Sequence, residues 1–181
     1  MKETESLVSH YSPALFTELY KHMEWADATL WRAALASPGA QSDETLLNYL
    51  HHMHLTQQLF LAFWTGTPAE PIARRQPSEF TLPELCAWAQ PYYAQARAFL
   101  DTATPDVLAR PLVMPWVAQY EKQLGRKFDV ATVGETAFQV VSHSTHHRAQ
   151  ANTRLRAVGG DPPLVDFIAW IWFGRPAAPW D

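Results

Sequence analysis

Residues 132–158 read TVGETAFQVVSHSTHHRAQANTRLRAV, and this stretch predicts one long helix that ends at Gly159-Gly160. Within it His143 and His147 are four residues apart, so in a helix both imidazoles project from one face, about 5–6 Å apart. Two imidazoles at this spacing can hold one metal ion. Zinc peptidases carry a glutamate directly after the first histidine, and its absence here argues against a peptidase of that type.

Working outward from this stretch, the sequence predicts an all-α fold. Four long helices are expected at about residues 13–36, 42–64, 81–100 and 132–158. Residues 71–78 are expected to form a loop, residues 109–130 a small hairpin or extended excursion, and residues 161–172 a short C-terminal helix. The predicted inward stripe of the first helix consists of Leu15, Leu19, Met23, Ala26, Leu30 and Ala33. We therefore predict a four-helix bundle in a single domain that spans residues 1–181.

Composition limits the kinds of function this chain can have. With 48% hydrophobic residues among 181, the chain can build a sizeable core. A net charge of −4 without a run of Lys or Arg argues against nucleic acid as a ligand. Residues 1–13 lack an apolar leader and the longest apolar run, 167–173, is too short to span a bilayer, so we expect a soluble, cytoplasmic protein. The single cysteine, Cys86, leaves nitrogen and oxygen atoms as the ligands of any metal.

A helical wheel of the second predicted helix separates its three histidines. Apolar side chains surround His52, which predicts that His52 points into the core. His54 lies on the opposite, polar side of the wheel, and His51 lies near the edge. On the fourth helix, His147 borders the apolar band, and His143 lies one step outside it. A single histidine on an apolar face is more often a hydrogen-bonded core residue than a ligand. Three together favour a metal, since one divalent ion accepts a lone pair from each neutral ring.

Several segments, taken in this order, resemble the DinB/YfiT-like family of small metal-binding helical bundles. They are Trp25-Ala26-Asp27, LHHMHL at 50–55, the helix end at 60–66, HSTHHRAQ at 143–150 and GGDPPLVD at 159–166. The likeness covers nearly the whole chain and implies that His52, His143 and His147 are the ligands of one divalent ion. The pair Gln57-Gln58 departs from the pattern, because relatives often have an acidic residue there. This leaves open whether the second helix supplies a carboxylate to the site.

Three neutral imidazoles would leave the ion its full charge and an open position, as in a catalytic site. Water or a thiol bound there would have a lowered pKa, which supports hydrolysis or thiol transfer. The resemblance favours thiol chemistry, because characterised relatives include transferases and isomerases that use low-molecular-weight thiols. We therefore expect a metal-dependent transferase or hydrolase with a small-molecule substrate and such a thiol as candidate cosubstrate. The alternative is a non-catalytic metal-binding stress-response protein. Zinc and nickel are the expected metals, and iron and copper also suit the donor set.

Other residues near these motifs carry weaker indications. Gln150 is a candidate hydrogen-bond partner of a metal-bound water, or an amide at a helix contact. Asp166 is a candidate partner of a ligand histidine, or a charge at a helix start. Arg148 falls within the apolar band, which predicts that it pairs with a buried acid or carbonyl. The residues that could line a pocket, or simply fill the core, are His22, Trp25 and Trp88.

Two other kinds of bundle cofactor fit the sequence less well. A di-iron site needs Glu-x-x-His on each of two helices, and the sequence has no such set. A haem would need a pocket for the macrocycle and would give a Soret band.

The closing segment at residues 167–173 is apolar on every side. A short helix there cannot bury its whole surface against one face of a bundle. Because exposed apolar patches often mark subunit contacts, we expect a homodimer that uses the surface near Trp170 and Trp172. The alternative is that this segment caps the bundle and shields the metal pocket from water.

Overall fold

The computed structural model describes residues 11–180. The elements are α1 (Pro13–Ala36), α2 (Glu44–Thr65), α3 (Glu70–Ala73), α4 (Leu82–Ala89), α5 (Pro91–Thr102), α6 (Pro105–Ala109), β1 (Pro111–Leu112), α7 (Val117–Leu124), β2 (Ala131–Thr132), α8 (Val133–Ala157) and α9 (Phe167–Trp172). The predicted all-α class is confirmed. Residues 1–10, on which the expectation of no leader segment largely rests, lie outside the described residues. Among residues 11–180, no helix is long and apolar enough to cross a membrane.

Local signals set the ends of the two helices that carry the histidines. The Asp43 side chain accepts a hydrogen bond from Leu46 N at 2.7 Å, which satisfies a free N–H at the start of α2. Gly66 ends α2 with a φ of 73°, a conformation that costs glycine little. At the start of α8, Thr132 and Glu135 form a capping box. The bounds of α2 and α8 therefore follow from short-range sequence.

The prediction of one helix over residues 81–100 is wrong. The chain forms two helices there, because α4 ends at Ala89 and α5 begins at Pro91. Pro91 has no N–H to donate and its ring crowds the preceding turn, so a continuous helix cannot pass through it. The same residue is well suited to the first position of α5.

Two segments that were expected to lack helices contain short ones. α3 and a 3₁₀ turn at Pro77–Glu79 overlap the predicted loop, and α7 occupies the centre of the predicted excursion. The strands on either side of α7 pair antiparallel, with Pro111 opposite Thr132 and Leu112 opposite Ala131. Strand pairing is therefore present, but a helix joins the strands. No residue of α7 is buried, although Val117, Tyr120 and Leu124 have the spacing of one apolar helix face.

α1 packs against several helices, so its buried surface is wider than the predicted stripe. Leu15, predicted to face inward, is 48% exposed, whereas Phe16 and Tyr20 are buried. A helical wheel with a single buried stripe cannot predict which residues are buried on a helix that packs against other helices on several sides.

α2 and α8 form the most extensive helix pair and run antiparallel. Asp43, at the start of α2, pairs with Arg154 near the end of α8. Trp64, near the end of α2, donates to Thr136 near the start of α8 at 2.9 Å. This pairing brings the middle of α2, with its histidines, next to the middle of α8.

Two hydrophobic clusters form the larger part of the core, with a polar layer between them. One cluster draws on residues 16–23, 60–64 and 133–140, and the other on residues 30–34, 46–53 and 151–155. Between these segments, α1, α2 and α8 contribute the buried polar residues Asp27, Gln57 and Ser144. The polar layer lies at the same level as the histidines of α2 and α8.

Candidate metal centre

His52, His143 and His147 converge in the surface groove between α2 and α8. Their potential ligand atoms all lie within 4.8 Å of one another. His143 Nε2 is 3.1 Å from His147 Nε2, and the His52 ring centroid is 5.1 Å from that of His143 and 4.6 Å from that of His147. The helical spacing sets the His143–His147 pair, and the antiparallel packing of α2 on α8 adds His52.

The burial predicted for the histidines of α2 is wrong, although the structure brings together the predicted triad. His52 is exposed at the groove, whereas His51 is 5% exposed and His54 is 0% exposed. The wheel assumed a single core direction, but α2 packs on α4, α5 and α8 and is hydrogen-bonded to α1 through His54 and Gln57, and the groove faces solvent. A better signal was available: Gln57, one turn after His54, is a polar residue between apolar segments of α2 and indicated a buried polar network.

The surroundings of the three imidazoles lower each pKa below its ordinary value of 6.5, so the rings are neutral near pH 7. The pKa of His143 is lowered from 6.5 to about 4, first by burial and then by repulsion from His147, His52 and His146. Partial burial also lowers the pKa of His52, and burial is the first cause of the lowered pKa of His147. A neutral imidazole has the free lone pair that a metal requires.

The geometry of this cluster fits one small divalent ion. Two nitrogens bound to one tetrahedral zinc at about 2.0–2.1 Å would lie roughly 3.3 Å apart. The Nε2 atoms of His143 and His147 are 3.1 Å apart and face each other. His52, from the opposite helix, supplies a third nitrogen of the same kind. The donor set is therefore three neutral imidazoles, with no carboxylate or thiolate among the described residues of the cluster.

Gln150 lies beside His147. Its Oε1 and the Nδ1 atom of His147 are both buried, and neither has a well-aligned hydrogen-bond partner among the described residues. Contact with Gln150 raises the pKa of His147 and so opposes part of the effect of burial. If His147 binds a metal through Nε2, its proton is on Nδ1, and the Gln150 oxygen is the nearby acceptor. Gln150 is therefore placed to hold the His147 ring in one orientation.

A buried ion pair on the inner side of α8 joins it to α1. Arg148 donates to the carboxylate of Asp27, and the two side chains are 3% and 0% exposed. The expectation that Arg148 pairs with a buried acid is confirmed. Tyr93 of α5 donates to the same carboxylate at 2.6 Å, and Gln57 of α2 donates to it at 3.0 Å. Asp27 thus connects α1 to three other helices.

Gln57 extends this network to His54. Its amide nitrogen also donates to Ser144 of α8 at 3.0 Å, and its Oε1 is 2.7 Å from His54 Nδ1. Trp31 Nε1 donates to His54 Nε2 at 2.8 Å. Because an indole can only donate, His54 Nε2 is the acceptor and Nδ1 carries the proton. Burial lowers the pKa of His54, in agreement with this neutral form. His54 is a hydrogen-bonded core residue.

Gln57 and Gln58, the pair that departs from the family pattern, have different surroundings. Gln57 belongs to the buried network, and Gln58 donates to the Trp88 carbonyl oxygen at 3.1 Å. Neither is part of the histidine cluster.

The structure places Asp166 away from the histidine cluster. Asp166 precedes α9, is exposed and lines a cavity with His22, Arg148 and Asn152. Trp25 packs with α9, and Trp88 stacks on His51 with ring centroids 5.9 Å apart. Of the weaker sequence candidates, Gln150 alone among these residues lies next to a clustered histidine.

The single cysteine, Cys86, is half-buried in α4. Burial raises the pKa of its thiol to about 11, so it stays protonated near pH 7. Cys86 packs against the second hydrophobic cluster as a small apolar residue.

A cavity of about 470 Å³ lies beside the cluster, between α2 and α8. Gln150 and His146 border it near His147, and Tyr49 borders it one turn before His52. Arg154 also lines it, but the carboxylate of Asp43 offsets its charge. The volume is within the range of small-molecule sites.

The fold and the cluster together define a helical protein with a three-histidine site in a surface groove. A profile of the DinB superfamily matches residues 14–151 of the 181-residue chain. The chain therefore belongs to the DinB superfamily, which confirms the resemblance seen in the motifs. The matched region contains all three clustered histidines. A search of curated proteins found no match, and a search of solved structures found none.

Proposed function

We propose that this protein is a metal-dependent enzyme that holds one divalent ion through His52, His143 and His147. The observation that supports this most strongly is the convergence of three imidazoles, with lowered pKa values, in one groove. Three neutral ligands would leave the ion its full charge and at least one open position. Zinc or nickel is the proposed metal, and iron or copper is compatible with the same donors.

The proposed reaction is the transfer of a low-molecular-weight thiol to a small electrophile, with hydrolysis as the second candidate. When bound, the ion supplies Lewis acidity that lowers the pKa of a coordinated thiol or water. The role proposed for Gln150 is to accept a hydrogen bond from the Nδ1–H of His147 and so fix the orientation of that ring. Such chemistry suits the cytoplasm, where thiols stay reduced.

The cavity beside the cluster is the proposed site for the cosubstrate. It lies between Gln150, which is next to His147, and the start of α2, and its walls also include Tyr49 and Thr153. Since the Asp43–Arg154 pair leaves little net charge, hydroxyl and amide groups would orient the ligand there.

Elemental analysis of protein purified without chelator tests the metal. His52→Ala, His143→Ala and His147→Ala should each lose stoichiometric metal, because two imidazoles hold an ion far more weakly than three. His146→Ala is the matched control, since His146 is the exposed neighbour of His147 on α8 and is outside the cluster. Full occupancy in two of the three cluster variants would overturn the assignment. His54 is unsuitable as a control, because it is buried in the polar network.

A panel of thiols and electrophiles then tests catalysis. Metal-loaded wild-type protein should form thioether product, and His147→Ala should not. Stoichiometric metal without turnover of thiol or hydrolytic substrates would favour the non-catalytic metal-binding alternative.

A further inference from the structure

A second cavity lies on the opposite face of α8 from the histidine groove. It has a volume of about 370 Å³ and is enclosed by α1, α8 and residues 163–167. Its polar wall consists of His22, Thr145, Arg148, Asn152 and Asp166. None of these residues belongs to the histidine cluster. The volume suits a small organic ligand.

His22 offers a fixed hydrogen-bond acceptor at this cavity. The side chain is 7% exposed, and its Nε2 is 2.9 Å from the Val165 carbonyl oxygen. A carbonyl can only accept, so Nε2 carries the proton and Nδ1 has a free lone pair. Burial lowers the pKa of His22, which keeps the ring neutral near pH 7. No described residue donates to Nδ1, and a ligand that meets it must therefore bring a donor.

The charges around the cavity favour a cation. Arg148 acts on His22 as a positive charge and lowers its pKa, but the buried Asp27 carboxylate that pairs with Arg148 and the Asp166 carboxylate both act in the opposite sense. The other charge on the wall is the carboxylate of Asp166, which makes no capping hydrogen bond to α9 and acts electrostatically on His22. Phe167 also borders the cavity, with its ring edge-on to His22 at 5.1 Å. Aromatic rings attract cations to their faces.

We propose that this cavity binds a small protonated amine that carries an apolar substituent. The ammonium group donates to His22 Nδ1 and to the Asp166 carboxylate, and the substituent packs against Leu19, Val141 and Phe167. A ligand with a carboxylate would instead be repelled by the Asp166 carboxylate and by the lone pair of His22 Nδ1. A neutral alcohol would keep the hydrogen bond to His22 but lose the attraction of Asp166.

Calorimetric titration with benzylamine, which is protonated at pH 7, tests this site. Benzyl alcohol and benzoate are the neutral and anionic comparisons of similar size. One benzylamine should bind per chain, at least about tenfold more tightly than either comparison, since a charge-assisted hydrogen bond is stronger than a neutral one. Asp166→Asn changes an exposed residue and should weaken benzylamine binding about tenfold.

Two controls locate the site. Asp161→Asn removes an exposed charge of the same segment outside the cavity and should bind benzylamine as the wild type does. His52→Ala should also bind it normally, because the amine site does not depend on the metal groove. Absence of benzylamine binding, equal or tighter binding of benzoate or benzyl alcohol, or an unchanged affinity in Asp166→Asn would each overturn the proposal.

Discussion

Replacing Asp27 with asparagine perturbs the centre of the buried polar layer. The Asp27 carboxylate is 0% exposed and receives hydrogen bonds from Arg148, Tyr93 and Gln57. Asparagine keeps the shape and one acceptor oxygen, but it leaves the buried guanidinium of Arg148 without its counter-charge. Breaking a buried ion pair in this way costs roughly 3–5 kcal/mol. Domains of this kind are stable by only about 5–15 kcal/mol, so this is a large fraction of the total.

Thermal and urea unfolding, followed by circular dichroism, measure this cost. For a chain of this length the melting temperature of Asp27→Asn should fall by roughly 6–20 °C. Arg148→Met should be destabilised comparably, because it leaves the carboxylate unpaired. The double variant removes both charges and keeps a neutral amide for Tyr93 and Gln57. It should therefore lose less stability than the two single losses added together, with a coupling energy of about 0.5–3 kcal/mol.

Two results would refute this reasoning. A loss of less than about 1 kcal/mol in Asp27→Asn would mean that the guanidinium finds water or another partner at little cost. A double variant whose losses simply add would mean that Asp27 and Arg148 act independently.

Three further predictions concern the metal, pH and assembly. Chelation should lower the melting temperature by mass action while far-UV helicity persists at room temperature, and loss of helicity would show that the metal is structural. The free energy of unfolding of the metal-free protein, measured in urea, should fall as pH falls from 6.5 toward 4, because unfolded His143 takes up its proton near 6.5 and folded His143 only near 4. His143→Ala should make the unfolding free energy depend less on pH. An unchanged pH dependence in this variant would contradict the lowered pKa of His143. Light scattering should show a dimer formed through Trp172 and Phe173, which are 74% and 58% exposed, and Trp172→Glu should give a folded monomer; a monomeric wild type would reject the dimer. Trp170, expected to lie at that contact, is 2% exposed and is therefore unsuitable for the test.

The apolar run in α9 predicts that part of this helix is exposed, but not which side is buried. The run at residues 167–173 indicated a helix with more apolar surface than one face can cover, and Trp172 and Phe173 are indeed exposed. The side that is buried depends on α1, where Trp170 packs with Trp25 and Ala26. The lid alternative placed this segment over the metal pocket, but among the described residues α9 packs on α1. Nothing within the run itself specifies that contact.

Short-range sequence sets the features that depend on neighbours within about one helical turn. The i, i+4 spacing places His143 and His147 on one face of α8, and the caps at Asp43 and Thr132 set where α2 and α8 begin. Pro91 also carried a local signal, because a proline inside a helical pattern breaks the helix. These effects arise from backbone geometry and hydrogen bonding over a few residues.

The surroundings of each histidine depend instead on how the helices pack. His52 reaches the cluster from the solvent-exposed groove, and His54 lies in the core, because α2 packs on several helices at once. Gln57 has buried hydrogen-bond partners because α1 and α8 bring Asp27 and Ser144 to it, and Asp166 lines the same cavity as His22 because the closing segment returns to α1. Burial and polar partners are supplied by residues 30 to more than 140 positions away in the chain, so the physical environment that gives each side chain its role exists only after the helices have packed.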